Sequence, residues 1–454
     1  MNTSNFKRHA ERHLQRWKEA PNRKPLIMRG ARQVGKTTLV EDFSKAYKNR
    51  IMLNLENEAD IKFFELYQDV TTMKDALFLE NGIPNKDIAS TLLFIDEIQE
   101  SPKAIKQLRY FYEKLPELHI IAAGSLLEFV MSEVISFPVG RVEYLYLYPL
   151  NFAEFLMALN KQEVLKQLDK VPLNDFAHDQ LMRMFNTYTI IGGMPEVVKT
   201  YITRGSIADM PRVYESIWTS YKNDIEKYTK SDAERRVIGH IMSVAHLYLG
   251  QRIKFQNFGN SNYRSREVSE AFRNLDAAKI IQLMYPTTDV EVPVKPDMKK
   301  APKLQFLDTG LINYELKIQA ELLALDDLSF AFKGAILPHI IMQELISLNA
   351  ISIHKPNFWV RKKAQASAEV DLVYSYRNRV IPIEFKAGTA GKMKSLHEFI
   401  ERTNHNYAIR MYAGKFSIEK HTTPKTHKPY TLMSLPYYLG TKLPEYVEYL
   451  VMNY

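Results

Sequence analysis

The chain of 454 residues contains no cysteine. That excludes disulfides, thiol nucleophiles and Cys-ligated zinc, and it fits a cytoplasmic protein. Glycine (17) and proline (21) are too scarce for collagen-like or low-complexity architecture, and no long-period internal repeat is visible. Long apolar runs are also missing. The densest stretch, Val142–Ala153, is broken by Glu143, Pro149 and Asn151. A membrane span needs about 18 apolar residues or more, so an integral membrane protein is excluded. The segment Met1–Ala20 mixes Lys, Arg, His and Glu around a few apolar residues. It lacks the apolar core of a signal peptide, so export is not expected.

What is present reads as globular. Apolar residues make up 46% and charged residues 25%, enough for sizeable cores, and the length predicts about three domains. The net charge of +9 is unevenly placed. Residues 351–454 carry 16 Lys/Arg against 8 Asp/Glu, whereas the first 350 carry 45 against 44. A basic final quarter points to a polyanion such as nucleic acid, or to nothing more than a solvated basic surface.

Strand-like runs at Pro25–Met28, Ile51–Leu55, Thr91–Asp96 and Ile120–Ala123 alternate with helical spacing at Arg8–Trp17 and Leu39–Tyr47. Alternation of this kind predicts an α/β sheet up to about residue 155. From Phe155 to Gly239 the spacing is almost wholly helical, Ile253–Gln282 reads helix–turn–helix, and a last α/β unit begins near Phe330.

The first strand runs into Gly30-Ala31-Arg32-Gln33-Val34-Gly35-Lys36-Thr37, a complete P-loop followed by Thr38 and a helix. Its backbone N–H groups suit the phosphates of ATP, Lys36 the β- and γ-phosphates, and Thr37 a Mg²⁺ ion. About 60 residues on, Leu92-Leu93-Phe94-Ile95 ends in Asp96-Glu97, the form of a Walker B segment. Asp96 is expected to hold the magnesium through water, and Glu97 to orient or deprotonate the attacking water. Ser125, after the fourth strand, is a candidate for bonding that water or the γ-phosphate, or a plain turn serine.

The segments GARQVGKTTL, LLFIDEIQ, AAGSLLEF and Gly140-Arg141 followed by YLYLYPLNFAEFL resemble the prokaryotic AAA-family ATPases that carry a C-terminal domain of unknown function. Gly192-Gly193-Met194-Pro195-Glu196 and Phe306-Leu307-Asp308-Thr309-Gly310-Leu311 extend the likeness over nearly the whole chain. The resemblance implies a multidomain α/β protein. Its parts are a P-loop AAA-type ATPase core (1–155), a helical lid (156–235), a winged-helix domain (236–315) and a C-terminal domain (316–454) like the PD-(D/E)XK, or restriction-endonuclease-like, nucleases. It also makes Arg141 a candidate for sensing the γ-phosphate, in cis or as a finger reaching a neighbour in a homo-oligomer. The plainer alternative pairs Arg141 with a carboxylate such as Glu143.

In the middle segment Val268, Ala271, Phe272 and Leu275 mark one buried helix face, with Arg264, Arg266 and Arg273 on or beside the other. This helix and the Lys295–Lys303 loop outline a winged helix that would read DNA, or one that only packs domains together. His240, His246, Trp218 and Met242 fall in helical patterns and are expected to be core or satisfied polar positions.

Near the end, Glu369–Tyr374 and Val380–Lys386 alternate on either side of a polar turn. A hairpin centred between Arg377 and Asn378 pairs Asp371 with Glu384 and Glu369 with Lys386, all on one face. Opposed carboxylates repel unless a cation intervenes, and oxygen ligands so placed suit Mg²⁺ or Mn²⁺. Lys386 would polarise a phosphate or the water. The bland alternative is a charged face with a Glu369–Lys386 ion pair. The resemblance implies a further glutamate four residues after Gly334-Ala335, where this chain has Pro338. Glu344, on the same helix, is a candidate substitute, and weakened or absent cleavage is expected. Two functions follow: an ATPase acting on DNA, or a slow nucleotide-dependent switch or adaptor whose C-terminal domain only binds a partner.

Overall fold

The computed structural model describes residues 6–125, 138, 140–229, 231–325, 328–362, 368–386 and 393–454. The chain divides into two compact units. The first is Met1–Pro149 with the short segments Ala277–Ile280 and Asn349–Ile353, and the second is the remainder.

The first unit is built on five parallel strands: β1 (Leu26–Arg29), β2 (Asn49–Asn54), β3 (Thr91–Asp96), β4 (His119–Ala123) and β5 (Glu143–Tyr146). They lie in the order β2-β3-β4-β1-β5. Every residue of β1, β3 and β4 is buried. Continuous apolar runs such as Thr91–Asp96 therefore mark a sheet covered on both faces. Helices α1 (Ala10–Glu19), α2 (Lys36–Ser44), α3 (Glu58–Leu66), α4 (Val70–Glu80) and α5 (Pro102–Lys114) supply the cover. Local chemistry sets their ends. Ser101 accepts from the Ala104 N–H at 3.1 Å with Pro102 in the first turn of α5, and Asp69 caps α4. Phe64, Phe78, Leu93, Ile95, Leu108 and Phe111 interlock in the core, where truncating a phenylalanine to alanine costs about 3–5 kcal/mol.

The second unit opens with α6 (Phe152–Ala158), α7 (Gln162–Leu168), α8 (His178–Ile191), α9 (Pro195–Arg204) and α10 (Pro211–Tyr228). The packing break falls between Pro149 and Leu150. The cause is local: Asn151 and Glu154 form a capping box that starts α6, and the Leu150 N–H bonds Gly193 O at 2.7 Å. Helices α11 (Asp232–Val244) and α12 (Ser265–Ala277) are followed by an antiparallel pair, β6 (Ile281–Met284) and β7 (Lys303–Phe306). On α12 Val268, Ala271, Phe272 and Leu275 are buried, as the spacing requires. Trp218 and Met242 are buried, and a ring nitrogen of His240 is bonded to Phe258 O.

Helices α13 (Thr309–Glu315), α14 (Gln319–Ala324) and α15 (Ile336–Ser347) lead into six strands. These are β8 (Asn357–Val360), β9 (Glu369–Tyr376), β10 (Arg379–Phe385), β11 (Tyr407–Tyr412), β12 (Ser417–Thr422) and β13 (Pro429–Pro436). Their order is β12-β13-β11-β10-β9-β8, with parallel pairing only where β11 meets β10 and β13. Helices α16 (Lys394–Ile400) and α17 (Leu443–Asn453) complete the unit.

The two glycine-bearing landmarks meet in its interior. Asp308 is buried, accepts from the Gly193 N–H at 2.6 Å and caps α13 through the Leu311 N–H at 3.1 Å. A Cβ on Gly193 would sit 2.0 Å from Leu150 O, and one on Gly310 2.0 Å from Ile191 O, so both positions require glycine. Among the described residues no helix is long and apolar enough to cross a membrane.

Candidate functional site

The loop between β1 and α2 is shaped by its glycines. Gly30 has φ +151°, and a Cβ there would meet Leu147 O at 2.2 Å; Gly35 (φ 94°) sits just before α2. Gln33 also takes a positive φ, 63°. Ala31 and Val34 are buried, whereas Thr37 and Thr38 are exposed at the helix start. Lys36 is buried and its ammonium donates to Gly30 O at 3.0 Å and Ala31 O at 2.9 Å. Burial pushes its pKa down to about 8 against the pull of Glu97 and Asp96. Arg32 lies 3.9 Å from Glu56.

The Thr37 hydroxyl donates to Asp96 Oδ2 at 2.6 Å. Burial raises the Asp96 pKa, and this hydrogen bond opposes the rise. Glu97 follows in a left-handed conformation (φ 49°, ψ 44°), and its carboxylate accepts from Gln99 Nε2 at 2.6 Å. Strand β4 lies between β1 and β3, so Ser125 emerges between the P-loop and Asp96. A hydroxyl and a carboxylate one hydrogen bond apart are the donor set that suits a magnesium ion. Residues 126–129 of the AAGSLLEF segment lie outside the described residues.

Sequence reasoning missed one supporting group. Arg8 is buried and donates to Val34 O at 3.1 Å and Tyr148 O at 2.6 Å, bracing the P-loop from the segment before α1. Nothing in the spacing around Arg8 marks it.

Arg141 requires a correction. It precedes β5, whose Glu143 pairs with Leu26 and whose Tyr146 pairs with Arg29. The P-loop follows the other end of β1, so about six residues of strand, roughly 20 Å, separate it from Arg141. Contact with the γ-phosphate in cis is therefore ruled out in this arrangement. Its partner is Glu113 at 3.2 Å, not Glu143, whose carboxylate accepts from the Lys24 N–H.

In the second unit the hairpin register runs Arg379↔Tyr376 to Ile383↔Leu372, the pairing expected from the turn. One step further sets Glu384 opposite Asp371, although there the Phe385 N–H turns to Asp371 Oδ2 at 2.9 Å. Glu384 Oε1 pairs with Lys386 at 2.8 Å, while its Oε2 is buried without a hydrogen-bond partner. Burial, then the Asp371 charge, pushes the Glu384 pKa up to about 7. The expected Glu369–Lys386 pair is not formed. Glu369 instead binds Lys303 at 2.5 Å and Arg252 at 3.3 Å.

Glu344 is not available as a metal ligand. Both its oxygens lie 3.1 Å from the Phe152 N–H, and the Tyr188 hydroxyl is 2.6 Å from Oε1. Pro338 lines a cavity of about 420 Å³ together with Asp371, Glu369, Lys303 and Phe358. No three acidic or histidine side chains converge on a metal-sized point among the described residues. Two opposed carboxylates with one orphaned oxygen still fit a divalent ion that keeps most of its waters.

The loop between β6 and β7 is not a free wing. The Thr287 N–H bonds Phe358 O at 2.8 Å, the Val360 N–H bonds Thr287 O at 2.9 Å, and Val290, Val292 and Val294 pack around Trp359. Lys303 is consumed by Glu369 and stands over the Phe358 ring. Lys295 and Lys299 stay exposed, as do Arg264, Arg266 and Arg273, with Arg266 paired to Glu270.

A parallel sheet with a P-loop after one strand and paired carboxylates after another defines a P-loop ATPase fold. Residues 22–156 match the model of an AAA domain, in keeping with that fold. Residues 182–322 and 333–434 match two domains of unknown function, DUF8612 and DUF4143. Among solved structures the chain is similar to a Walker-type ATPase of Pyrococcus abyssi, with 15% identity and a TM-score of 0.44, over 69% of this chain and 97% of that one. It is also similar to the Pif1 helicase of Candida albicans, with 14% identity and a TM-score of 0.22, over 40% and 48%. Neither likeness is close enough to carry an argument about function. No curated protein matches the chain.

Proposed function

We propose that the protein is a cytoplasmic, magnesium-dependent ATPase that acts on DNA. The observation that carries this reading is the convergence of Lys36, Thr37, Asp96 and Glu97 at one end of the parallel sheet. In it the Lys36 ammonium leaves the Gly30 and Ala31 carbonyls for the β- and γ-phosphates, a charged acceptor replacing two neutral ones. Gly30–Gly35 wraps the phosphates, and Thr38, exposed in the first turn of α2, is a further nucleotide-binding residue. Thr37 and Asp96 are the residues that would hold a magnesium ion, which would neutralise phosphate charge. Glu97 swings from Gln99 to take the proton of the attacking water, and Ser125 orients that water or the γ-phosphate. Arg141, remote from its own P-loop, completes the site of a neighbouring copy, so active protein is a homo-oligomer.

The second unit is read as helical lid (156–235), winged helix (236–315) and nuclease-like domain (316–454). Helix α12 with the Lys295–Lys300 loop contacts DNA phosphates. Asp371 and Glu384 hold Mg²⁺ or Mn²⁺, and Lys386 acts on the phosphate or the water. The protein groups already filling the hairpin favour slow cleavage, and they also favour a second reading in which this domain only binds a partner. The deciding experiment is the ATPase rate with and without single- and double-stranded DNA, repeated in Mn²⁺ while cleavage is followed. Turnover that DNA raises supports the enzyme. Turnover below about one per minute and insensitive to DNA, the range of intrinsic P-loop switches, supports the adaptor.

A further inference from the structure

Within the hairpin Glu384 already has the Lys386 ammonium, and a third carboxylate, Glu369, has recruited cations from outside it. Lys303 begins β7 and Arg252 forms a lone β-bridge with it, so both cations come from the segment that precedes the C-terminal sheet. Both reach Glu369. Glu369 stands two residues before Asp371 on β9, hence on the same face. Both carboxylates line the 420 Å³ cavity together with Lys303, and Pro338 contributes no further acid there. The Lys303 ammonium also lies 4.8 Å from the centre of the Phe358 ring, a carboxylate-and-aromatic seat of the kind that holds ammonium groups. On the opposite strand the buried Oε2 of Glu384 is left without a hydrogen-bond partner.

We propose that Lys303 and Arg252 are a latch on the C-terminal site: they occupy Glu369 and keep it from a divalent ion, and a phosphate chain that draws either cation away frees Glu369 to join Asp371 and Glu384 as a ligand. This rests on the metal-binding reading of the hairpin. In it Glu369 takes the part left open by Pro338, and binding of a polyanion and of metal reinforce one another. That coupling is reciprocal, so metal also tightens polyanion binding.

The test is Mn²⁺ binding to the full-length, nucleotide-free protein, followed by calorimetry with and without a short single-stranded oligonucleotide. The oligonucleotide should tighten Mn²⁺ binding in the parent. Lys303→Met should tighten it without oligonucleotide by about tenfold, the low end for groups that govern metal ligands. Arg252→Gln, at a half-exposed position, should do so more weakly and guards against a folding defect in Lys303→Met. Glu369→Gln should erase the oligonucleotide effect but keep the basal Mn²⁺ binding that Asp371→Asn removes. If Asp371→Asn abolishes binding while Lys303→Met, Arg252→Gln and the oligonucleotide change nothing, the latch is wrong and the metal site stands. If neither parent nor Lys303→Met binds Mn²⁺ under any condition, the metal reading itself fails.

Discussion

Lys36 and Lys303 both rest on protein groups at places where a ligand is expected, and the difference between those groups separates the two units. Lys36 lies on two neutral backbone carbonyls. Lys303 lies on a carboxylate that a second cation, Arg252, also holds. Both sets are charge-assisted, but Lys36 meets only the partial charges of two carbonyl dipoles, whereas Lys303 meets a full opposite charge. A phosphate therefore displaces the contacts of Lys36 at small cost, whereas at Lys303 it must break an ion pair. Under the proposed roles the first site is poised for its ligand and the second is held shut.

The comparison is broken most severely through Glu97. Glu97→Gln should keep nucleotide binding and lower turnover about 10⁴-fold, the upper range for a general base. Lys36→Ala should instead weaken binding, because Lys36 meets ground-state phosphates. Wild-type hydrolysis in Glu97→Gln would remove Glu97 from that role.

A smaller loss, about 10³-fold, is expected for Arg141→Ala if it serves a neighbour. Mixing it with Lys36→Ala protein should restore activity, since each copy supplies what the other lacks. With contact in cis ruled out by the strand register, absence of rescue would leave Arg141 only its surface pair with Glu113.

The two sites were unequally legible in the sequence for a physical reason. The P-loop is a contiguous motif of fixed spacing, so Gly30–Thr37 could be read directly, although the backbone that excludes a side chain at Gly30 is the distant Leu147. The hairpin register was legible as well, because a period of two and one turn fix it. Partners brought by distant segments were not. Neither the Lys303–Glu369 pair, 66 positions apart in number, nor the Arg8 contact with Val34 leaves a local pattern. The glycine landmarks carried only the family likeness, and the contact between them, in which Gly193, Gly310 and Asp308 serve the interior of the second unit, had no local signal. Glu344 looked like a ligand and proved to be a buried acceptor for Phe152 and Tyr188.

Buried groups in the two units should also contribute pH responses of opposite sign. Burial pushes Glu344 up to about 8 and Asp308 up to about 6. Between the ordinary carboxylate range and those values the folded second unit holds protons that the unfolded chain releases. The contribution of these two carboxyls to stability therefore falls as pH rises, by about 1.4 kcal/mol per pH unit for each such proton. Lys36 is pushed down to about 8 from 10.5. Between those values the unfolded chain holds the proton that the folded first unit lacks, so this contribution rises with pH. Denaturant unfolding from acid to mildly alkaline pH measures both slopes. Glu344→Gln should flatten the fall up to about pH 8, and an unchanged slope would assign that proton elsewhere.

The smallest effect distinguishes free cations from latched ones within the second unit. If α12 and the following loop hold DNA, the logarithm of affinity should fall linearly with the logarithm of salt, because each phosphate contact releases condensed counterions. Lys299 is exposed, so Lys299→Ala should flatten that slope by about one. Lys303 already neutralises Glu369, so in the latched state Lys303→Ala releases no counterion from DNA and should leave the slope nearly unchanged. Adding Mn²⁺ should separate the two variants further. With metal on the carboxylates Lys303 becomes free to meet phosphate, and the parent slope should steepen by about one while that of Lys303→Ala does not. Equal flattening by both substitutions without metal would mean that Lys303 already leaves Glu369 for DNA, and affinity indifferent to salt would remove DNA as the partner of this surface.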